Sequence, residues 1–177
     1  MKGTVFWGLL QSMQKLGMAA PAGADVSTEL RQALETRDLF ATSWYPVEWY
    51  RELLGYIVRR GGPSALRDTV QLSTRESVST VHRFLMKAFS PDMLLKQGAR
   101  VFSSFFDAKI SSTPLGAGHT LVEWTACGGF DATCWTAQVL TVEELVAMTG
   151  VRVQRKVVRS GGGTGDDALS LELFWGR

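Results

Sequence analysis

Val151-Arg152-Val153-Gln154-Arg155-Lys156-Val157-Val158-Arg159 and Leu169-Ser170-Leu171-Glu172-Leu173-Phe174-Trp175 are the two runs from which the fold can be read. In the first, Val151, Val153, Arg155 and Val157 alternate with Arg152, Gln154 and Lys156. In the second, Leu169, Leu171, Leu173 and Trp175 recur at every other position. A period of two sends successive side chains to opposite faces of a strand, so both runs are expected to be half-buried strands. The glycine-rich stretch 160–167 between them turns the chain back on itself.

Working outward, Asp131 is expected to cap a long helix whose inward face is Trp135, Val139, Val142 and Val146 and which ends at Gly150. Before it, residues 109–113 and 120–126 read as a hairpin around Pro114-Leu115-Gly116-Ala117-Gly118. The closing half is therefore ββαββ.

The opening half reads as helices. Val5, Leu9, Leu10, Met13 and Leu16 recur at three- and four-residue spacing, and Gly17 closes the first helix. Gln11 and Lys15 interrupt its apolar run, so it reads as a structural helix rather than a secretory leader, and a cytoplasmic location is expected. Residues 19–24, with Pro21 and Gly23, form a loop; Ser27 then caps a short helix carrying Leu30, Ala33 and Leu34. Pro46 suits the first position of the next helix. That helix has one apolar stripe of Val47, Tyr50, Leu54, Ile57 and Val58 and a second of Trp49, Leu53 and Tyr56. A helix apolar on two sides must bury both, so it is either central to the core or borrowed by a partner or ligand, and a homodimer formed through the helical half is expected. Gly61-Gly62-Pro63 ends it, and further helices are expected over about 64–72, 75–89 and from Asp92 onward. In the last of these Leu94, Val101, Phe102, Phe105 and Phe106 share a face. Helices followed by ββαββ predict one α+β domain over 1–177, with the helical half packed on a four-stranded antiparallel sheet.

The composition excludes several classes. Of the 177 residues 45% are hydrophobic, enough for one core, and a net charge of +2 with scattered basic residues gives no nucleic-acid footprint. No apolar run approaches the ~20 residues that span a bilayer. Two cysteines, Cys127 and Cys134, are too few for a closed zinc site. The two histidines, His82 and His119, stand in no catalytic signature. Gly161-Gly162-Gly163-Thr164-Gly165 joins two strands rather than a strand and a helix, so it lacks the context of a phosphate loop. At Gly128-Gly129-Phe130-Asp131 the cap is expected to take the free amides an anion would need. Glu143-Glu144 and Asp166-Asp167 read as solvated charge. The aromatic residues Trp44, Tyr45, Trp49, Tyr50 and Tyr56, with Phe102, Phe106 and Trp135, are the candidate ligand or interface residues.

Lys2-Gly3-Thr4 at the start, Trp44-Tyr45-Pro46 opening a helix, residues 102–107 before the first strand, and the closing elements with their Gly165-Asp166-Asp167 turn carry a resemblance. The chain resembles a bacterial family allied to the superfamily of haem nitric-oxide/oxygen-binding domains, four-vinyl-reductase domains and TRAPP vesicle-tethering subunits. The resemblance implies a scaffold used for small-molecule sensing and for dimeric protein adaptors. Haem-binding members carry a Tyr-x-Ser-x-Arg clamp for the propionates at the second strand-to-helix junction. The corresponding stretch here is Trp124-Thr125-Ala126-Cys127-Gly128, which puts Trp124, Ala126 and Gly128 at the clamp positions. Those members ligate iron from a histidine on the helix before the first strand, where this chain has Phe102, Phe105 and Phe106; His82 lies one helix earlier. The cysteine-rich metal pattern of the four-vinyl-reductase branch is missing from the closing hairpin. The expectation is a non-catalytic sensory or adaptor domain with no cofactor, no metal and no catalytic residue, binding an apolar small molecule or a signalling protein. The rival readings are a haem-based gas sensor using His82 and a thiol-dependent enzyme centred on Cys127 and Cys134.

Overall fold

Glycine and proline punctuation sets the element boundaries in a computed structural model that describes residues 1–21, 25–36, 38–78 and 89–176. Helix α1 (Gly3–Lys15) closes where Gly17 adopts a φ of 73°. Its buried face is Phe6, Leu9 and Met13, while Val5 and Leu10 are half-buried and Leu16 is exposed, so the face is rotated from the expected stripe. Ser27 caps α2 (Thr28–Glu35) as expected, its Oγ accepting the Leu30 amide at 3.4 Å. Helix α3 (Val47–Ser77) starts one residue after Pro46 and breaks at Gly62, whose φ of 74° and ψ of −173° leave the helical region. Pro63 restarts it, and this second arm runs without interruption to Ser77, where sequence alone suggested two helices. His82 and most of the helix expected over 75–89 lie outside the described residues.

Ser90 and Pro91 open α4 (Pro91–Phe102), the Ser90 hydroxyl accepting the Met93 amide. This helix stops at Phe102. Leu94 and Leu95 are buried, but Val101 is exposed and Phe105 and Phe106 follow in a turn, so the five-residue stripe is not continuous. Strands β1 (Lys109–Gly116) and β2 (His119–Thr125) form the hairpin. The turn is only Ala117-Gly118, because β1 continues through Pro114 with an irregularity before Gly116. Proline is tolerated there because β1 is an edge strand.

Helix α5 (Ala132–Met148) is capped by Asp131, whose Oδ1 accepts the Cys134 amide at 2.8 Å. Strands β3 (Arg152–Gly161) and β4 (Leu169–Gly176) complete an open sheet of order β1-β2-β4-β3. All neighbours are antiparallel, so β2 and β3 run parallel on either side of β4 and α5 is the crossover between them. Register places Trp124 opposite Leu169, Val122 opposite Leu171 and Thr120 opposite Leu173, and this face is buried. The α+β class, the helical half and the four-stranded antiparallel sheet are therefore as expected.

The core lies between this face and the helices. Helix α5 buries Cys134, Trp135, Ala137, Gln138, Leu140, Val142, Glu144 and Val146, which is more than one face. A helix apolar nearly all round belongs inside a domain. Both stripes of α3 are likewise covered within the chain, with Tyr50, Leu53, Leu54, Tyr56 and Ile57 all buried. No helix among the described residues is long and apolar enough to cross a membrane.

Candidate functional site

Four of the eight candidate residues meet in one aromatic cluster. Phe102 ends α4, and the next turn folds back on it, the Phe106 amide donating to the Phe102 carbonyl at 2.9 Å. The two rings consequently stack at 4.5 Å. Phe106 then meets Tyr50 of α3 edge-on at 5.9 Å and Phe130 at 6.2 Å, and Phe130 lies 4.9 Å from Trp135 of α5. Such edge and offset contacts are the geometries that ring quadrupoles favour. Polar tips are held as well. The Trp135 Nε1–H donates to the Gly163 carbonyl at 3.1 Å, and Gln138 Nε2 donates to the Tyr50 hydroxyl at 3.4 Å. Burial raises the Tyr50 pKa well above its ordinary value, so its phenol stays neutral.

The other candidates lie elsewhere. Tyr45 stacks on Trp49 at 5.4 Å and meets Phe6 edge-on at 5.8 Å, and its hydroxyl donates to the Asp38 carbonyl at 3.0 Å and accepts the Phe40 amide at 2.7 Å. Trp44 is exposed, pairs with Lys2 in an isolated bridge and carries the Lys2 ammonium 5.7 Å from its ring. These three residues fasten the start of α1 to the start of α3. Trp44 and Tyr45 also border a cleft of about 490 Å³ with Met1 and Asp107. Tyr56 stands apart, its hydroxyl donating to the Ala19 carbonyl at 3.0 Å beside Arg60.

Sequence reasoning left Phe130 and Gln138 out of the site. The one available signal for Gln138 was a lone amide in the apolar run of α5.

The strand-to-helix junction behind this cluster is tightly determined. Ala126 has a φ of 58°, the one positive value among the described non-glycine residues, and the Cys127 amide donates to the Asp167 carbonyl at 2.8 Å. Trp124 is buried with an indole N–H that finds no acceptor among the described residues. Cys127 and Cys134 are buried, and burial pushes both thiols up to about 12. For Cys134 desolvation by burial is the largest cause, ahead of the lowering by a backbone hydrogen bond at Asp131 and by the Arg51 charge. Asp131 caps α5 and lies 3.5 Å from the Arg51 guanidinium, so the junction does not offer a free anion nest. In the glycine-rich turn the Gly163 amide is taken by Asp166 Oδ2 at 2.7 Å.

One reading of charge needs correction. Glu144 is not solvated: it is 3% exposed and bonded by Arg75, while Glu143 pairs with Lys156 at 2.7 Å. On the sheet's outer face Glu172 is held by Arg159 at 2.7 Å, with His119 Nε2 at 3.2 Å, and Arg159 foremost lowers its pKa. His119 also stacks on Phe174 at 4.1 Å.

A haem needs an axial ligand to its iron, and its two propionates need polar or cationic partners. Residues 91–107 contain no histidine, cysteine or tyrosine, and the clamp positions offer an indole, a methyl group and a glycine. The rings of Phe102, Phe106, Tyr50 and Phe130 pack directly on one another where α3 and α4 meet the β2–α5 junction. Among the described residues no group of three or more His, Cys, Asp and Glu side chains could hold a metal ion. The described residues do not fit a haem.

No family model matches the chain, and no curated protein matches it. Solved structures do. An oxygen-binding H-NOX domain related to soluble guanylate cyclases, in its oxygen complex, superposes with a TM-score of 0.68 at 11% identity, over 100% of this chain and 96% of that one. An H-NOX protein from S. oneidensis in the Fe(II)NO ligation state gives 0.65 at 14% identity, covering 100% of both chains. The Fe(II) unliganded H-NOX protein from K. algicida gives 0.61 at 10% identity over 100% and 97%. The chain has the H-NOX fold over its whole length, in keeping with the superfamily resemblance drawn from its sequence.

Proposed function

We propose that this chain is a non-catalytic sensory or adaptor domain that uses the H-NOX scaffold without haem. One observation carries the reading: a full-length H-NOX fold in which Phe106, stacked on Phe102 and edge-on to Tyr50 and Phe130, joins helices and sheet where the resemblance called for iron ligation and a propionate clamp. A cluster shared by α3, α4 and the β2–α5 junction couples the two halves by packing alone, so binding on either half is felt by the other. The occupant is an apolar small molecule or a signalling protein. The buried Trp124 N–H, without an acceptor among the described residues, favours the small-molecule form, because an acceptor atom on a ligand would satisfy it. The absence of catalysis is supported by the buried thiols, held protonated, and by the engagement of His119 with Glu172 and Phe174. Self-association is not part of the proposal, since the two apolar stripes of α3 that motivated it are spent inside the chain. A cytoplasmic site of action fits the reading.

The test is native mass spectrometry and visible absorption of protein purified from cells fed a haem precursor. The expected result is no porphyrin band, with the chain either carrying an organic molecule of discrete mass or free of any ligand. Haem bound at one per chain would overturn the proposal and establish the gas-sensor reading, with His82 the first ligand to replace.

A further inference from the structure

A groove of about 800 Å³ lies between the second arm of α3, the carboxyl end of α5 and the start of β3. Its volume falls within the roughly 300–1,000 Å³ of small-molecule sites. Arg67, Gln71 and Arg75 line one wall, spaced four apart so that they project from one face of α3. Arg152 of β3 lines another, and Met148 and Val153 supply apolar surface. The charges do not cancel. Of the two acids in the groove, Glu144 is held by Arg75 and Glu143 by Lys156. Arg67 and Arg152 are exposed and have no carboxylate partner among the described residues. The carboxyl end of α5 brings no basic residue of its own in its last turn, and its dipole amounts to about half a negative charge, which two guanidiniums exceed.

We infer that this groove binds a small organic anion, a carboxylate or phosphate ester with an apolar body, gripped by Arg67 and Arg152. Guanidiniums offer a planar fork of donors that suits both acid groups. Gln71, between the arginines, adds a neutral donor and acceptor for a hydroxyl or ester oxygen. The inference concerns a site separate from the Phe106 cluster and stands whether or not that cluster is a sensor.

Calorimetric titration of the full chain with phenyl phosphate at low salt tests it. The expected result is saturable binding that weakens as salt rises and falls by about tenfold or more in Arg67→Ala/Arg152→Ala. Both residues are exposed, so the thermal midpoint of the double variant should match wild type. Arg155→Ala, outside the groove and over the Phe174 ring, should bind normally. No binding to wild type, or undiminished binding to the double variant, overturns the site. Binding of a hexaglutamate peptide but not of phenyl phosphate would also overturn it, by assigning the groove to an acidic protein segment.

Discussion

Arg75 Nε donates to Glu144 Oε1 at 2.5 Å and its Nη2 to Oε2 at 3.1 Å, a two-pronged pair between residues 69 positions apart. The Glu144 side chain is 4% exposed and the Arg75 side chain 51%, so the pair pins the second arm of α3 to α5 at the boundary of the core. Arg75→Ala would leave a buried carboxylate without its partner. A loss of about 2–3 kcal/mol in urea unfolding is expected, less than for a fully buried pair because the arginine is half in water. Replacing both together, as Arg75→Met/Glu144→Leu, should restore most of it.

Phe106 touches three other rings while remaining half-buried. Phe106→Ala should cost about 2–3 kcal/mol, toward the lower end for a truncated aromatic, and Phe106→Leu about half as much. Near-ultraviolet circular dichroism should lose amplitude in both variants, because Tyr50, Phe102 and Phe130 lose a fixed neighbour. An unchanged signal in the alanine variant would mean that the cluster is not a packed unit.

The thiols provide a pH test. Burial raises Cys127 and Cys134 from an ordinary 9.0 to about 12, so between those values the native chain keeps protons that the unfolded chain releases. Their contribution is complete below the unfolded value and is lost as pH rises through the interval. Urea midpoints followed from neutrality to about pH 10.5 should fall, and the fall should be shallower in Cys127→Ala/Cys134→Ala. Native labelling of both thiols at neutral pH should be no faster than unfolding. Rapid labelling of Cys134, with loss of function in its alanine variant, would return the thiol-enzyme reading.

Two glycines with nearly equal φ separate conformational strain from collision. At Gly17 (φ 73°) an added Cβ meets nothing within 4 Å, so Gly17→Ala should cost about 1–2 kcal/mol, the strain of a left-handed residue alone. At Gly161 (φ 70°) the Cβ would lie 2.0 Å from the Ala168 carbonyl oxygen, across the β3–β4 pairing. Gly161→Ala should therefore cost about 3 kcal/mol or more. Thermal midpoints of the two variants decide the matter.

How much of this was legible in sequence depended on whether one side of an element faced water. β4 has Leu171 and Leu173 buried inward with Ser170 and Phe174 half-exposed on the other face, and its alternation gave the sheet directly. Helix α5 is buried almost all round, so its period predicted one inward face where several exist. Glu144 was misread because its partner is far away in sequence, and local pattern carries no information about such a meeting. The same limit divided the aromatic residues of α3. Trp49 and Tyr50 are adjacent, yet one stacks on Tyr45 and the other meets Phe106. Spacing named the residues of the site but not their neighbours, because those come from α1, from the turn after α4 and from the β2–α5 junction.

The placement of β4 between β2 and β3 has a consequence for how this domain can be cut or assembled. Among the described strands β3 pairs with β4 alone, so until β4 arrives its ladder groups are unpaired and α5 is a crossover with nowhere to land. A fragment ending before Leu169 would keep the β1–β2 hairpin but lose the inner face of Leu169, Leu171 and Leu173 on which the hairpin's buried side chains depend. Splitting the chain in the glycine-rich turn should thus leave β3 and β4 unpaired and the hairpin without its packing face, and the full sheet should return only when the two pieces meet. That makes 160–168 a natural place for a complementation assay, in which a short β4 peptide reports assembly of the rest.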